Sequence, residues 1–511
     1  MRVVVDSAPV GRTRRVAARF QRGDAVRRLS LSGRRLLPAP EPGNVWTGLS
    51  WGRPQQALDL DGDDLHAQRA HALATVLDAV APVECVLAPP IPRRPWRLAV
   101  RSEDGPAVRR ALSALPAHWE LRREAGGRRL TVRPRFAADG RPLDPVPDLD
   151  VVLDVLPLDG ARYGDESAPA VPHVGAQEWS AASRESLLPQ HRRSAAPEPS
   201  MPIDVVYTWV DGSDPAWRRR RDEALRAVPG GPSGYHRSAL DESRYLDSEE
   251  LRYSLRSLRR YASWVRRIHI VTDGQVPHWL DVDHPQIRVV DHADLLGGSR
   301  FNSHAIESAL HRIPGLAEHY LYLNDDVFFG RIAYPGDFFP APGLTTFFPS
   351  DLPIDPGPVT SDDLPIMAAA KNGRALLAAR FGLDVRTKIR HTVHAQLRSV
   401  GEQIEAEHPE EVARTRDARF RSPTDLSLAS SLHHWYAHAL GRAVPQQPNY
   451  LYVDLASPGV EQTLDALESL RRYDTFCLNQ EQTGMSPALR REVGEFLERY
   501  LPTPAPWERP A

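Results

Sequence analysis

IDVVYTWVDGSDPAW, from Ile203 to Trp217, sets an apolar run directly against a turn built from carboxylates and glycine. Val205, Val206 and Tyr207 predict a buried strand. Asp211, Gly212, Ser213 and Asp214 leave its carboxyl end, where open α/β sheets collect their ligands. The same turn also suits a helix start, because Asp or Ser ahead of Pro215 can cap one. HYLYLNDDVFFG, from His319 to Gly330, repeats the pattern with Asn324, Asp325 and Asp326 at a strand end. Paired carboxylates there suit a hard divalent cation, which takes oxygen ligands and shares them with a substrate's phosphates. Adjacent strand residues point to opposite faces, so Asp325 and Asp326 are expected to do different jobs.

Outward from these two stretches, apolar runs alternate with helical patterns. Strands are expected at 203–210, 268–272, 287–290 and 320–323, and helices near 248–261 and 303–313. Such alternation predicts an α/β fold with a parallel sheet. Leu251, Leu255 and Leu258 mark a packing face. Thr272, Asp273 and Gly274 supply a third polar loop at the same edge. From Asp362 onward the pattern is mainly helical, over 362–380, 391–408, 424–442 and 486–501, with short strands at 450–453 and 475–478. RHTVH puts His391 and His394 one turn apart on the second of these helices. Two histidines without a third ligand at motif spacing are a weak zinc signal, and His433, His434 and His438 read as surface residues.

The 511 residues exceed the size of one hydrophobic core, so more than one domain is expected. Residues 1–161 read as a small α+β domain of unassigned role, with a strand, helix, strand unit from Trp96 to Leu121. The stretch 162–200, rich in Ala, Ser and Pro, reads as a linker, and 201–511 as the catalytic domain. DLDGDDL at 59–65 lacks the later glutamate of a calcium loop and reads as a solvated turn. A formal charge of −2 removes the expectation of a nucleic-acid binder. No window reaches the ~20 apolar residues of a membrane span, and a cytoplasmic protein is expected. Cys85 and Cys477, the two cysteines, suit a reducing compartment as buried thiols, and neither has metal-ligand spacing.

DVVYTWVDGSDPAW, RYLDSEELRYSLRSLRRYASWVRRIHIVTDGQVPHWL, FNSHAIE and YLNDDVFFG together resemble the Stealth family, bacterial capsule and exopolysaccharide hexose-1-phosphate transferases. These are similar to the catalytic subunit of the animal N-acetylglucosamine-1-phosphate transferase. The family's four blocks correspond to 203–217, about 244–330, 391–443 and 473–480, so the resemblance covers about 201–485. It implies a nucleotide-sugar-transferase-like (Rossmann-like) core, Mg²⁺ or Mn²⁺ at Asp325 and Asp326, a nucleotide-sugar donor and a glycan acceptor. His391 aligns with the histidine that acts in phosphotransfer, and Arg421 of RFRSPTDL with an arginine at the donor phosphates; Asp326 completes the catalytic set. Trp209, Asp211 and Gly212 would hold the nucleotide. Asn302, His304 and Glu307 would line the sugar or diphosphate pocket, and Asp273, Asn324 and Asn479 the same edge. His394, Asp326 and Glu307 stand as alternative bases. Gln480 departs from the acidic residue usual in the fourth block, and Glu481 is a possible substitute. A metal-dependent glycosyltransferase moving the sugar alone and a non-catalytic carbohydrate-binding scaffold are the alternative readings. Peripheral association with membrane polysaccharide machinery is left open.

Overall fold

The computed structural model describes residues 30–31, 34–35, 45–50, 53–60, 62–124, 126–138, 141–144, 146–166, 173–188, 201–228, 240, 242–479 and 486–509. It divides into two compact units, Met1–Glu198 with Arg259–Ser263, and Pro199–Leu258 with Trp264–Ala511. Gln480 and Glu481 lie outside the described residues. Among the described residues no helix is long and apolar enough to cross a membrane.

In the first unit a five-stranded sheet runs in the order Cys85–Leu87, Trp96–Arg101, Val151–Leu156, Arg129–Pro134, Trp119–Arg123. Only the Trp96–Arg101 and Val151–Leu156 strands are parallel neighbours. Helices Leu65–Ala79 and Gly105–Ser113 bury Leu73, Val76, Leu77, Val108 and Leu112 in the core with this sheet. The first helix is capped by Asp64, which accepts from the backbone of His66 and Ala67. Much of the expected linker is instead structured. Arg162–Tyr163 pairs with Val174–Gly175, and a helix spans Trp179–Ser186. Trp179 is buried with its ring 5.1 Å from that of Tyr163. Isolated aromatic anchors of this kind fix a segment without leaving any apolar period in its sequence.

The second unit is built on a sheet ordered Ile287–Asp291, Ile268–Thr272, Ile203–Thr208, His319–Asn324, His394–Leu397. The first four strands are parallel, and the two central ones, Ile203–Thr208 and His319–Asn324, are largely apolar because both their faces are covered. Register decides where the chemistry falls. Thr208 pairs with Asn324 and Thr272 with Asp291, so the strand-end turns collect at one edge. The last strand is antiparallel, with His394 opposite Tyr322. His391, three residues before His394, therefore arrives at the same carboxyl edge.

This strand replaces the front of the helix expected over 391–408, which begins only at Arg398. Residues 393–397 are all buried, so their pattern carries no period that separates strand from helix. Helices predominate farther on, at Pro365–Phe381, Pro409–Asp417, Val460–Leu470 and Pro487–Tyr500, the last capped by Ser486. A π turn, Leu428–Leu432, interrupts the helix expected over 424–442. A small sheet joins Val327–Phe329, Thr475–Asn479 and Tyr450–Asp454. Its register sets Val327 against Cys477, which carries Cys477 and Asn479 to the Asp326 turn.

Candidate active site

Asp326 is the centre of one group of side chains. His391 Nε2 stands 3.2 Å from Asp326 Oδ1, the Asn479 amide donates to Oδ2 at 3.0 Å, and the Cys477 thiol donates to the same oxygen at 3.3 Å. Burial alone would push this carboxyl up, but His391, Cys477 and Asn479 hold it below its ordinary range. Asp326 is therefore ionised, and His391 presents an Nε2–H to it. The Tyr450 hydroxyl donates to the His391 carbonyl at 2.7 Å, fixing the backbone from which the imidazole hangs.

Asp325, its neighbour, has the opposite environment. Burial, and then the charges of Asp326, Glu250 and Asp247, push its carboxyl well above the usual range. Burial likewise raises Glu250 to about 7, with Asp247 and Asp326 adding to the shift. Asp247 is raised to about 6 by burial, reinforced by Asp211 and Glu249. Carboxylates are thus gathered here beyond what the neighbouring cations offset. The turn that carries Asp247 and Glu250 is itself strained: Glu249 holds φ 64° without being glycine, a conformation costing ~1 kcal/mol. Neither residue was singled out from the sequence, because acids ahead of a helix read as ordinary capping.

The expected nucleotide-side residues fall around this acidic turn. Trp209 is buried, and its indole donates to Asp247. Asp211 accepts from the backbone and hydroxyl of Ser213 at 2.8 and 2.6 Å. A Cβ on Gly212 would come within 2.3 Å of the Tyr245 carbonyl, so only glycine allows the two loops to meet. Asp273 is committed elsewhere, to Arg220 at 3.0 Å, and Asn324 ends its strand beside Thr208.

A second group surrounds Arg421. An aromatic cluster of Trp217, Tyr245, Phe301 and Phe420 packs four sequence-distant segments together, and the next residue, Arg421, donates to the Ser303 hydroxyl at 2.8 Å. Burial, and then the charge of Arg244, lower its guanidinium to about 9. Two arginines that repel one another are an arrangement an anion relieves. Glu307 accepts from the Ser430 backbone and hydroxyl at 3.1 and 2.9 Å, within the π turn. Asn302 and His304 are almost wholly buried, and both bond Asp425 Oδ2, at 2.9 and 3.2 Å. They hold the loop that carries Arg421. The Thr208 hydroxyl stands 3.2 Å from that of Tyr322, a buried phenol that feels the charges of Glu307, Asp325 and Asp326.

His394 does not share a helical face with His391. It is buried 2.9 Å from His434, and burial lowers it to about 3. His433 and His434, expected at the surface, are buried as well. Residue type predicts exposure poorly for histidine, whose neutral ring packs like an aromatic. Cys477, without any metal motif in sequence, meets Asp326 and His391 through strand register alone, their ligating atoms lying within 4.8 Å of one another.

The donor chemistry around Asp325 fits a divalent cation of the kind the sequence implied: oxygen ligands only, and crowded negative charge that such an ion would neutralise.

Four family models match the chain: Stealth protein CR1, conserved region 1, over residues 201–228; CR2, conserved region 2, over 244–347; CR3, conserved region 3, over 390–438; and CR4, conserved region 4, over 465–511. An exopolysaccharide phosphotransferase of Streptomyces coelicolor is 50% identical over 317 residues, 60% of this chain and 52% of its own length. The exopolysaccharide phosphotransferase CpsY of Mycobacterium tuberculosis is 43% identical over 314 residues, 60% of this chain and 58% of its own. The chain thus spans between half and two thirds of these two relatives. Among solved structures, the galactosyltransferase LgtC aligns with 58% of this chain and 95% of its own at 12% identity, with a TM-score of 0.29.

Proposed function

The chain belongs to the Stealth family, and from that membership and its strand-end chemistry we propose that it transfers a hexose-1-phosphate from a nucleotide sugar to a glycan hydroxyl. The observation that carries this reading is the pairing of His391 with Asp326 beside crowded carboxylates. In the reaction the acceptor oxygen attacks the β-phosphorus of the donor. The bond from that phosphorus to the oxygen bridging the two phosphates breaks, and a nucleoside monophosphate leaves. The sugar keeps its glycosidic oxygen, and the product is a phosphodiester.

Phosphoryl transfer depends more on alignment and charge neutralisation than on covalent help. Because His391 gives its Nε2–H to Asp326, its other ring nitrogen, Nδ1, is the one that takes the acceptor proton, and Asp326 stabilises the imidazolium that forms. Arg421, with Arg244 beside it, grips the donor's phosphate oxygens through a planar fork. Glu307, fixed by Ser430, and Asp211 orient sugar and nucleotide hydroxyls. A divalent cation, Mg²⁺ or Mn²⁺, held at Asp325 would neutralise charge on the diphosphate. A cytoplasmic setting belongs to the same proposal.

Incubation with a panel of nucleotide sugars, Mg²⁺ and short glycans, followed by mass spectrometry, tests it. Products heavier by a hexose phosphate, with nucleoside monophosphate released, are expected. Release of nucleoside diphosphate would make the protein a conventional glycosyltransferase, and absence of turnover with every donor would favour a binding scaffold.

A further inference from the structure

We propose that Asp326, His391 and Cys477 form a site for a thiophilic divalent cation, Zn²⁺, distinct from the oxygen-lined site at Asp325. Three ligand types that zinc favours converge here from three separate segments. The Asp326 carboxylate lies 3.2 Å from His391 Nε2 and 3.3 Å from Cys477 Sγ, and all three ligating atoms fall within 4.8 Å of one another. Ligands at 2.0–2.3 Å around a tetrahedral ion stand about 3.3–3.7 Å apart, so side-chain adjustments of about an ångström would close the site. Three protein ligands leave the fourth position open to water.

The choice of ion follows from the donors. A thiolate and an imidazole bind Zn²⁺ far better than Mg²⁺, which selects oxygen and keeps its waters. Supporting groups are in place: the Asn479 amide orients the carboxylate at 3.0 Å, and Tyr450 holds the His391 backbone at 2.7 Å. Cys477 is fully buried and in no disulfide, with its thiol against the Asp326 carboxylate. Binding displaces the thiol proton to solvent.

Zinc on Nε2 forces the proton of the neutral ring onto Nδ1, which then cannot accept one from an acceptor hydroxyl. The cation would therefore switch transfer off while leaving the Asp325 side able to hold its own ion. That consequence rests on the phosphotransfer reading, but binding itself does not.

The test uses the metal-stripped full chain and the metal alone. Co²⁺ titration should give a near-ultraviolet sulfur-to-cobalt charge-transfer band at one ion per chain, and Zn²⁺ should displace it. Cys477→Ser should abolish the band and weaken Zn²⁺ binding about 10-fold or more, measured against a chromophoric chelator. Cys85→Ser, altering the other cysteine, should change neither. His391→Ala, at a partly exposed position, should weaken Zn²⁺ in the same way and serves if Cys477→Ser misfolds by circular dichroism. A wild-type protein without the band, a band that persists in Cys477→Ser, or one lost in Cys85→Ser overturns the proposal. None of these readouts involves turnover, so failure here and failure of the transferase reading are separable.

Discussion

Two ends of one sheet treat aspartate in opposite ways. At the amino end of the Ile203–Thr208 strand, Asp204 is completely buried, yet Arg266 donates two bonds to it at 2.8 and 2.6 Å, and the Ala317 backbone a third at 2.8 Å. Burial would raise this carboxyl, but Arg266, His269 and Ala317 hold it below its ordinary value. At the carboxyl end of the neighbouring strand, Asp325 is surrounded by Asp326, Glu250 and Asp247 and pushed well above it. Complete pairing marks a carboxylate that holds the fold. Unrelieved crowding, which lowers stability, marks one kept for a ligand.

Removing charge should therefore affect function at one end and stability at the other. The largest effect is expected for Asp326→Ala, which leaves His391 without its partner: turnover should fall by ~10³-fold or more. Excess chelator should likewise abolish turnover. Full activity in either case removes the carboxyl end from the chemistry.

The division between His391 and Arg421 sharpens the comparison within the site. His391→Ala should lower kcat by ~10²–10⁴-fold with donor KM nearly unchanged, as loss of a proton acceptor does. Arg421→Ala should weaken donor binding and turnover together, and Arg421→Lys should restore little, because a point charge cannot reproduce the fork. Wild-type kcat in His391→Ala at saturating substrate would make His391 a packing residue.

Asp204→Asn should cost ~3 kcal/mol of stability at pH 7, since it breaks a buried pair and leaves Arg266 without a counter-charge. The folded pKa here is depressed, so the contribution is present above the unfolded value of ~3.9 and is lost as pH falls through the folded one. Denaturant midpoints of variant and wild type should converge in acid. A gap that stays constant with pH contradicts the charge explanation.

The smallest effect carries the opposite sign. Glu250 is raised to about 7, so between its unfolded value and pH 7 the folded state binds more protons than the unfolded one, and stability falls as pH rises. Metal-free Glu250→Gln should be more stable than wild type at pH 8, by ~1–2 kcal/mol, and no more stable at pH 4. Thermal unfolding at both pH values checks this; destabilisation at pH 8 would mean the carboxylate cluster is not crowded.

The central sheet was legible because parallel strands buried on both faces write long apolar runs, as Ile203–Thr208 and His319–Asn324 do. Their polar ends located the turn of Asp325 and Asp326. The strand at His394–Leu397 was not legible, since full burial erased its period, and the error placed His394 beside His391 on a helix that starts only at Arg398. Cys477 was hidden for another reason: its neighbours come from 86 and 151 residues away, through register that no local pattern encodes. Asp247 and Glu250 were visible as residues but mute, because capping and cation binding use the same composition.

Whether phosphorus moves with the sugar is the question on which the whole account turns, and a donor labelled with ³²P in its β-phosphate answers it. The account predicts that the label appears in the glycan product, in a linkage stable to phosphatase, and that Asp326→Ala suppresses its transfer. Label that remains entirely with the released nucleotide, while sugar reaches the acceptor, would contradict it.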